Sequence, residues 1–159
     1  MSKKLILYYS LEGSMKEMGE YLSKELNIPS EEIRPIKDVK KTGVNKYTIG
    51  GEQVMGKETP EIHALKSRID EYDTIILGSP IWSASFAPAI RTVLENNLIT
   101  GKKVAFYYGH EGNPGKCEER IRKEVEKNNE LVSFYAISKP KARFEKKKED
   151  FLAWAKEIE

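Results

Sequence analysis

Three short stretches of this chain gather residue types that bind ligands. The first, Ser10-Leu11-Glu12-Gly13-Ser14-Met15-Lys16, offers serine hydroxyls, a glycine and the start of a helical pattern. Hydroxyls, backbone amides and the positive end of a helix dipole together suit a phosphate, although the same residues would also make a plain strand-to-helix turn with a serine N-cap. Neither Gly-x-x-x-x-Gly-Lys-Ser/Thr nor Gly-x-Gly-x-x-Gly spacing is present. The second stretch, Gly78-Ser79-Pro80-Ile81-Trp82-Ser83-Ala84-Ser85-Phe86-Ala87-Pro88, sets a tryptophan in a loop and ends in a proline suited to a first helical turn. A large aromatic there reads as a flat stacking platform for a ring system, with backbone groups of the same loop meeting the ring's polar edge. The third, Tyr108-Gly109-His110-Glu111-Gly112-Asn113-Pro114-Gly115, is glycine-rich, so the main chain can approach a ligand closely. No residue in the three is assigned a catalytic or metal-binding role.

Each stretch follows a strand-like run, and that is what would bring them together. Lys4 to Tyr9, Thr74 to Leu77, Lys103 to Tyr108 and Leu131 to Ile137 are near-continuous apolar segments too short for helices, and they read as strands buried on both faces. Ile33-Arg34-Pro35-Ile36 is a weaker candidate whose proline confines it to a sheet edge. Between the strands the apolar spacing turns helical at Met15, Met18, Leu22 and Leu26; at Ile62, Leu65 and Ile69; and at Ile90, Val93 and Leu94. It does so again at Cys117, Ile121 and Val125, and at Phe151, Leu152, Ala155 and Ile158. Five alternations predict an α/β fold, a parallel sheet with helices on both faces, in one domain over residues 1–159. In such a sheet ligands sit beyond the C-terminal strand ends, so the three stretches converge on one rim. Lys37 to Pro60, rich in glycine and lysine, is long for a connection and reads as a lid, binding loop or subunit contact.

Composition narrows the field. The chain has 159 residues, with 27 Lys+Arg against 25 Asp+Glu, a net charge of +2. That balance disfavours a nucleic-acid partner. No apolar run approaches the roughly 20 residues of a membrane span, and Met1-Ser2-Lys3-Lys4 leads directly into a strand rather than an export signal. A single cysteine, Cys117, excludes an internal disulfide framework or a multi-thiolate zinc cage and suits a reducing compartment, the cytoplasm. Cys117 reads as a buried helix-face thiol, His63 as a surface residue and Lys139 to Lys148 as the solvated entry to the last helix.

Leu7-Tyr8-Tyr9-Ser10-x-x-Gly13, followed by Ile76-Leu77-Gly78-Ser79-Pro80-Ile81-Trp82 and Ala87-Pro88-Ala89-Ile90-Arg91, resembles the flavodoxin family, in particular its short bacterial and archaeal members. The likeness spans almost the whole chain, including Lys46 to Val54. It implies a three-layer α/β/α sandwich around a five-stranded parallel sheet in the order 2-1-3-4-5, with FMN at the switch point. Carried over, it gives the phosphate to Ser10, Glu12, Gly13, Ser14 and Met15, one isoalloxazine face to Ser79, Pro80, Ile81, Trp82 and Ser83, and the ring edge to Gly109, His110, Glu111 and Gly112. The commoner family loop reads Ser/Thr-x-Thr-Gly-Asn-Thr. Here two phosphate-facing hydroxyls are missing, an acid has appeared at Glu12, and Lys16 is a candidate compensating charge.

The implied function is that of an FMN redox protein, either an electron carrier for a partner protein or a reductase passing electrons from NAD(P)H to a quinone-like acceptor, with a homodimer possible. A near-neutral surface and an imidazolium at His110 would both favour the reduced flavin anion. Two rivals stand beside it. A phosphoacceptor receiver domain would also place Lys-Pro after its last strand, as in Ser138-Lys139-Pro140, but this chain has Tyr9-Ser10 and Gly78-Ser79 where the acids should be. The other rival is an interaction module of the same fold with weak or lost FMN binding, suggested by Glu12 and Met15.

Overall fold

The computed structural model describes residues 3–37 and 57–159. The described elements are β1 (Lys4–Tyr8), α1 (Ser14–Leu26), β2 (Ser30–Glu32), a single 3-10 turn (Ile69–Glu71), β3 (Thr74–Trp82) and β4 (Ser85–Phe86). They continue with α2 (Pro88–Glu95), β5 (Lys103–His110), α3 (Cys117–Val125), β6 (Glu130–Ser138) and α4 (Pro140–Lys156). Five strands pair in parallel in the spatial order β2-β1-β3-β5-β6, with the two-residue β4 pairing antiparallel to the end of β3. Counting only the parallel strands, this is the order 2-1-3-4-5.

Alternation along the strands sorts the core into two layers. Leu5, Leu7, Ile75, Leu77, Val104 and Phe106 pack with Ile90 and Val93 of α2 and Cys117 and Ile121 of α3. Their neighbours Ile6, Tyr8, Ile76, Ala105 and Tyr107 face the other way, against Met15, Met18 and Leu22 of α1 and Phe144 and Phe151 of α4. Two helices therefore cover each face, which makes the molecule a three-layer sandwich. The helix stripes read from spacing form α1, α2, α3 and α4, and α1 ends where Asn27 enters the left-handed region (φ 53°) and returns its N–H to Ser23. Pro88 and Pro140 both occupy the first turn of their helices.

The structure corrects the sequence reading in three places. Ile62, Leu65 and Ile69 do not form a helix. Ile62 bridges Pro35 in antiparallel sense, with Ile36 N–H donating to Glu61 C=O (2.9 Å) and His63 N–H to Arg34 C=O (2.8 Å). The Glu31 carboxylate accepts from the Lys66 and Ser67 amides, both at 2.7 Å, so donors that a helix would have used are satisfied from another strand. The edge strand lies at Ser30–Glu32 rather than Ile33 to Ile36, although Ile33 still donates its N–H to Tyr8 C=O at 2.7 Å. Finally, β6 is not buried on both faces. It forms the other edge of the sheet, with Val132 40% exposed, because β5 pairs with only one side of it. Most of the Lys37 to Pro60 segment lies outside the described residues. Among those described, no helix is long and apolar enough to cross a membrane.

Candidate cofactor site

At the C-terminal ends of β1, β3, β5 and β6 the loops enclose a cleft of about 680 Å³, open mouth included. Eight residues expected there line it: Glu12, Ser14, Met15, Pro80, Ile81, Trp82, Gly109 and Glu111. Leu11, Pro140 and Lys141 join them unforeseen. The last two had one legible signal, since Lys139-Pro140 follows a strand end and opens a helix on the same rim.

The first loop is held by Gly13, whose φ of +100° is left-handed territory that a side chain would strain. Its N–H donates to Ser10 Oγ at 3.1 Å. The helix N-cap is therefore Gly13, not a serine, and no side chain caps the helix. The first intrahelical bond runs from Glu17 N–H to Gly13 C=O (2.9 Å), which leaves the amides of Ser14, Met15 and Lys16 directed out of the helix end. Ser10 and Gly13 shape this turn without lining the cleft. Met15 shows why a bulky apolar residue fits here. It is 2% exposed, sits in the core layer beneath α1, and packs where Gly109 leaves room, since a Cβ on Gly109 would lie 2.7 Å from Met15 Cε. Its carbonyl accepts a hydrogen bond from buried Tyr107 Oη at 3.0 Å. Lys16 forms an i,i+4 ion pair with Glu20 (3.8 Å) with both side chains about half exposed, and it does not line the cleft.

Trp82 is not in a loop. It ends β3, pairs with Ser85 of β4, and begins a two-residue hairpin through Ser83 (φ 48°) and Ala84 (φ 58°). Successive left-handed residues define a type I′ turn, here without the usual glycine or asparagine. Two contacts offset that strain: Arg120 Nη1 donates to Ser83 C=O (3.0 Å) and Ala84 C=O (3.2 Å), and Gly115, at φ +58°, leaves space that a Cβ would close to 2.7 Å from Ala84 Cβ. The half-buried indole stands edge-on to Tyr9, with ring centroids 5.7 Å apart and planes at 89°. Ser79 is fully buried and serves the backbone, accepting from Ala87 N–H (2.9 Å) and donating to Pro80 C=O (2.7 Å). Ser83 lies in the turn and lines a separate polar pocket rather than the cleft.

In the third loop His110 Nδ1 accepts the Gly112 N–H at 3.1 Å and its carbonyl accepts Lys139 N–H at 2.6 Å, so both His110 and Gly112 brace the rim rather than line it. Burial lowers the His110 pKa, with Glu111 opposing. Cys117 is 1% exposed and burial raises its thiol pKa, as befits an inert helix-face residue, while His63 is exposed. Among the described residues no cluster of His, Cys, Asp or Glu could hold a metal.

A parallel sheet in this strand order, with two helices on each face and a cleft at its C-terminal rim, belongs to the doubly wound class of α/β proteins. The flavodoxin family pattern matches residues 3–136, and the chain belongs to that family. It is similar to a flavoprotein from Lactobacillus acidophilus NCFM solved in complex with FMN, at 25% identity over 92% of this chain and 98% of that one, with a TM-score of 0.76. A putative flavoprotein from Bacteroides uniformis (18% identity, 98% and 99% covered, TM-score 0.78) and oxidised Flavodoxin 1 from Bacillus cereus (17%, 99% and 100%, TM-score 0.56) share the fold. No curated protein matches the chain.

The residues present fit FMN. The outward amides of Ser14 and Met15 match a phosphomonoester, and the Ile81–Trp82 wall matches a flat aromatic ring. Buried Gly109 lets Met15 and Pro140 floor the space between them without a side chain in the way.

Proposed function

We propose that the protein is a cytoplasmic FMN-binding redox flavoprotein. The observation that carries this reading is the pairing, in one cleft, of the uncapped α1 N-terminus with the Trp82 indole. FMN, when bound, supplies the electron and hydride chemistry. The chain's own residues bind and orient it. The α1 amides hold the phosphate, Trp82 and Ile81 shield one face of the ring from water, and the Gly109 to Glu111 main chain meets the ring edge. Electrons enter from a partner protein or from NAD(P)H and leave to a partner or a quinone-like acceptor.

Buried Met15 supports cofactor binding over the reading of a module that has lost it. Its side chain is 2% exposed and packed in the core layer, so the substitution removes a hydroxyl while adding little apolar surface to the cleft it floors. The test is the visible spectrum of purified protein reconstituted with FMN and passed through gel filtration. Flavin bands that travel with the protein are expected, and protein that emerges colourless at saturating FMN refutes the proposal. Stopped-flow mixing of the loaded protein with NADPH separates the two donors, because a carrier for partner proteins takes up little hydride directly.

A further inference from the structure

Resting on the FMN reading above, we propose that Lys141 is the phosphate-directed cation of this site. The family loop that normally surrounds the phosphate has lost two hydroxyls here, and the lysine nearest in sequence, Lys16, is turned to Glu20 on the outer face of α1. Among the described residues, the charged side chains that line the cleft are Glu12, Glu111 and Lys141, two carboxylates and one ammonium. A dianionic ligand entering it thus meets one cationic side chain, supplied by α4 from the opposite end of the sequence.

The packing brings the start of α4 to the start of α1. A Cβ built on Gly109 would lie 2.7 Å from Met15 Cε and 2.8 Å from Pro140 Cγ, so the first turns of α1 and α4 meet over this one glycine. Lys141 follows Pro140 in the first turn of α4 and lines the cleft. It forms no ion pair among the described residues, and it is exposed. The turn itself is fixed. Lys139 adopts a left-handed φ of 47°, and its N–H is anchored to His110 C=O at 2.6 Å. The β6–α4 connection therefore substitutes for hydroxyls missing from the β1–α1 connection.

The test compares FMN with riboflavin, which lacks the phosphate, by fluorescence titration of the full chain and of Lys141→Gln, Lys141→Arg and Lys16→Gln. Lys141→Gln should weaken FMN about tenfold, the lower range for a hydrogen bond to a charged group, and change riboflavin less than twofold. Lys141→Arg should recover most of the loss, Lys16→Gln should match wild type, and the wild-type preference for FMN should shrink as salt rises. Equal FMN affinity in Lys141→Gln and wild type overturns the proposal, as does an equal loss for riboflavin, which would place Lys141 against the ring. Wild-type protein that binds neither flavin fails the FMN reading itself and the proposal with it.

Discussion

Replacing Gly78 by alanine probes how the sheet interior governs the site. Gly78 and Tyr107 are registered neighbours on β3 and β5. A Cβ at position 78 would stand 2.1 Å from Tyr107 Cζ and 2.5 Å from both Cε2 and Oη, where ordinary contact begins near 3.4 Å. The ring must retreat by more than an ångström, yet Tyr107 is fully buried, packs against Phe151 at a centroid distance of 5.2 Å, and donates its hydroxyl to Met15 C=O. Overpacking of a dense core costs about 1–3 kcal/mol, with this clash at the upper end, and breaking the buried hydrogen bond adds about 1 kcal/mol. The expected loss is about 3–4 kcal/mol, a large share of the 5–15 kcal/mol typical of a domain. Urea unfolding of Gly78→Ala, Tyr107→Leu and the double variant measures it. The double variant should lose at least about 1 kcal/mol less than the sum of the singles, because removing the ring removes the clash. The same displacement frees the first turn of α1, so FMN affinity should fall alongside stability. A Gly78→Ala protein within about 1 kcal/mol of wild type would refute this account of the core.

Other perturbations have outcomes that can be stated in advance. Truncating Trp82 to alanine should weaken FMN by at least about tenfold while Trp82→Phe retains most of the affinity, as flavin fluorescence titration will show. Glu124→Ala removes the nearer of two carboxylates on Arg91, whose side chain is 10% exposed and lies 2.8 Å from Glu124 and 3.4 Å from Glu95. It should cost about 2–4 kcal/mol in urea unfolding, whereas Glu126→Ala, which breaks the half-exposed pair with Arg122, should cost under about 0.5 kcal/mol. Alkaline pH should destabilise the protein. Burial pushes the Tyr8 phenol up to about 12 and raises Tyr107 and Tyr108 as well, so the folded state holds protons that the unfolded chain releases near the ordinary value of 10.0. Stability present below pH 10 is then lost as pH rises through the folded values, and ultraviolet phenolate titration should show a late-ionising set of tyrosines. His110 works at the other end of the scale. Its pKa is lowered from 6.5, so its contribution is present above that value and lost as pH falls below it, and stability curves of His110→Asn and wild type should converge in acid.

The sequence by itself determined four of the five parallel strands, the sheet's class and three of the four loops at its rim. Runs such as Leu5-Ile6-Leu7 and Ile75-Ile76-Leu77 are apolar at every position because both faces are covered, and that pattern is local. Serine, tryptophan and glycine in the connections after β1, β3 and β5 were legible for the same reason. Tertiary structure decided what depends on partners far along the chain. Glu31 satisfies the amides at Lys66 and Ser67, which turned an apparent helical stripe into an extended segment. Ser79 looks like a ligand-binding hydroxyl until Ala87 N–H is found on it, and His110 like a ring-edge ligand until its Nδ1 is found holding the Gly112 amide. Lys141 reaches the cleft only because Gly109 lets Pro140 pack beside Met15. Periodicity reports which face a residue presents, but hydrogen-bond satisfaction and desolvation depend on contacts between residues distant in sequence, and these exist only once the chain has folded.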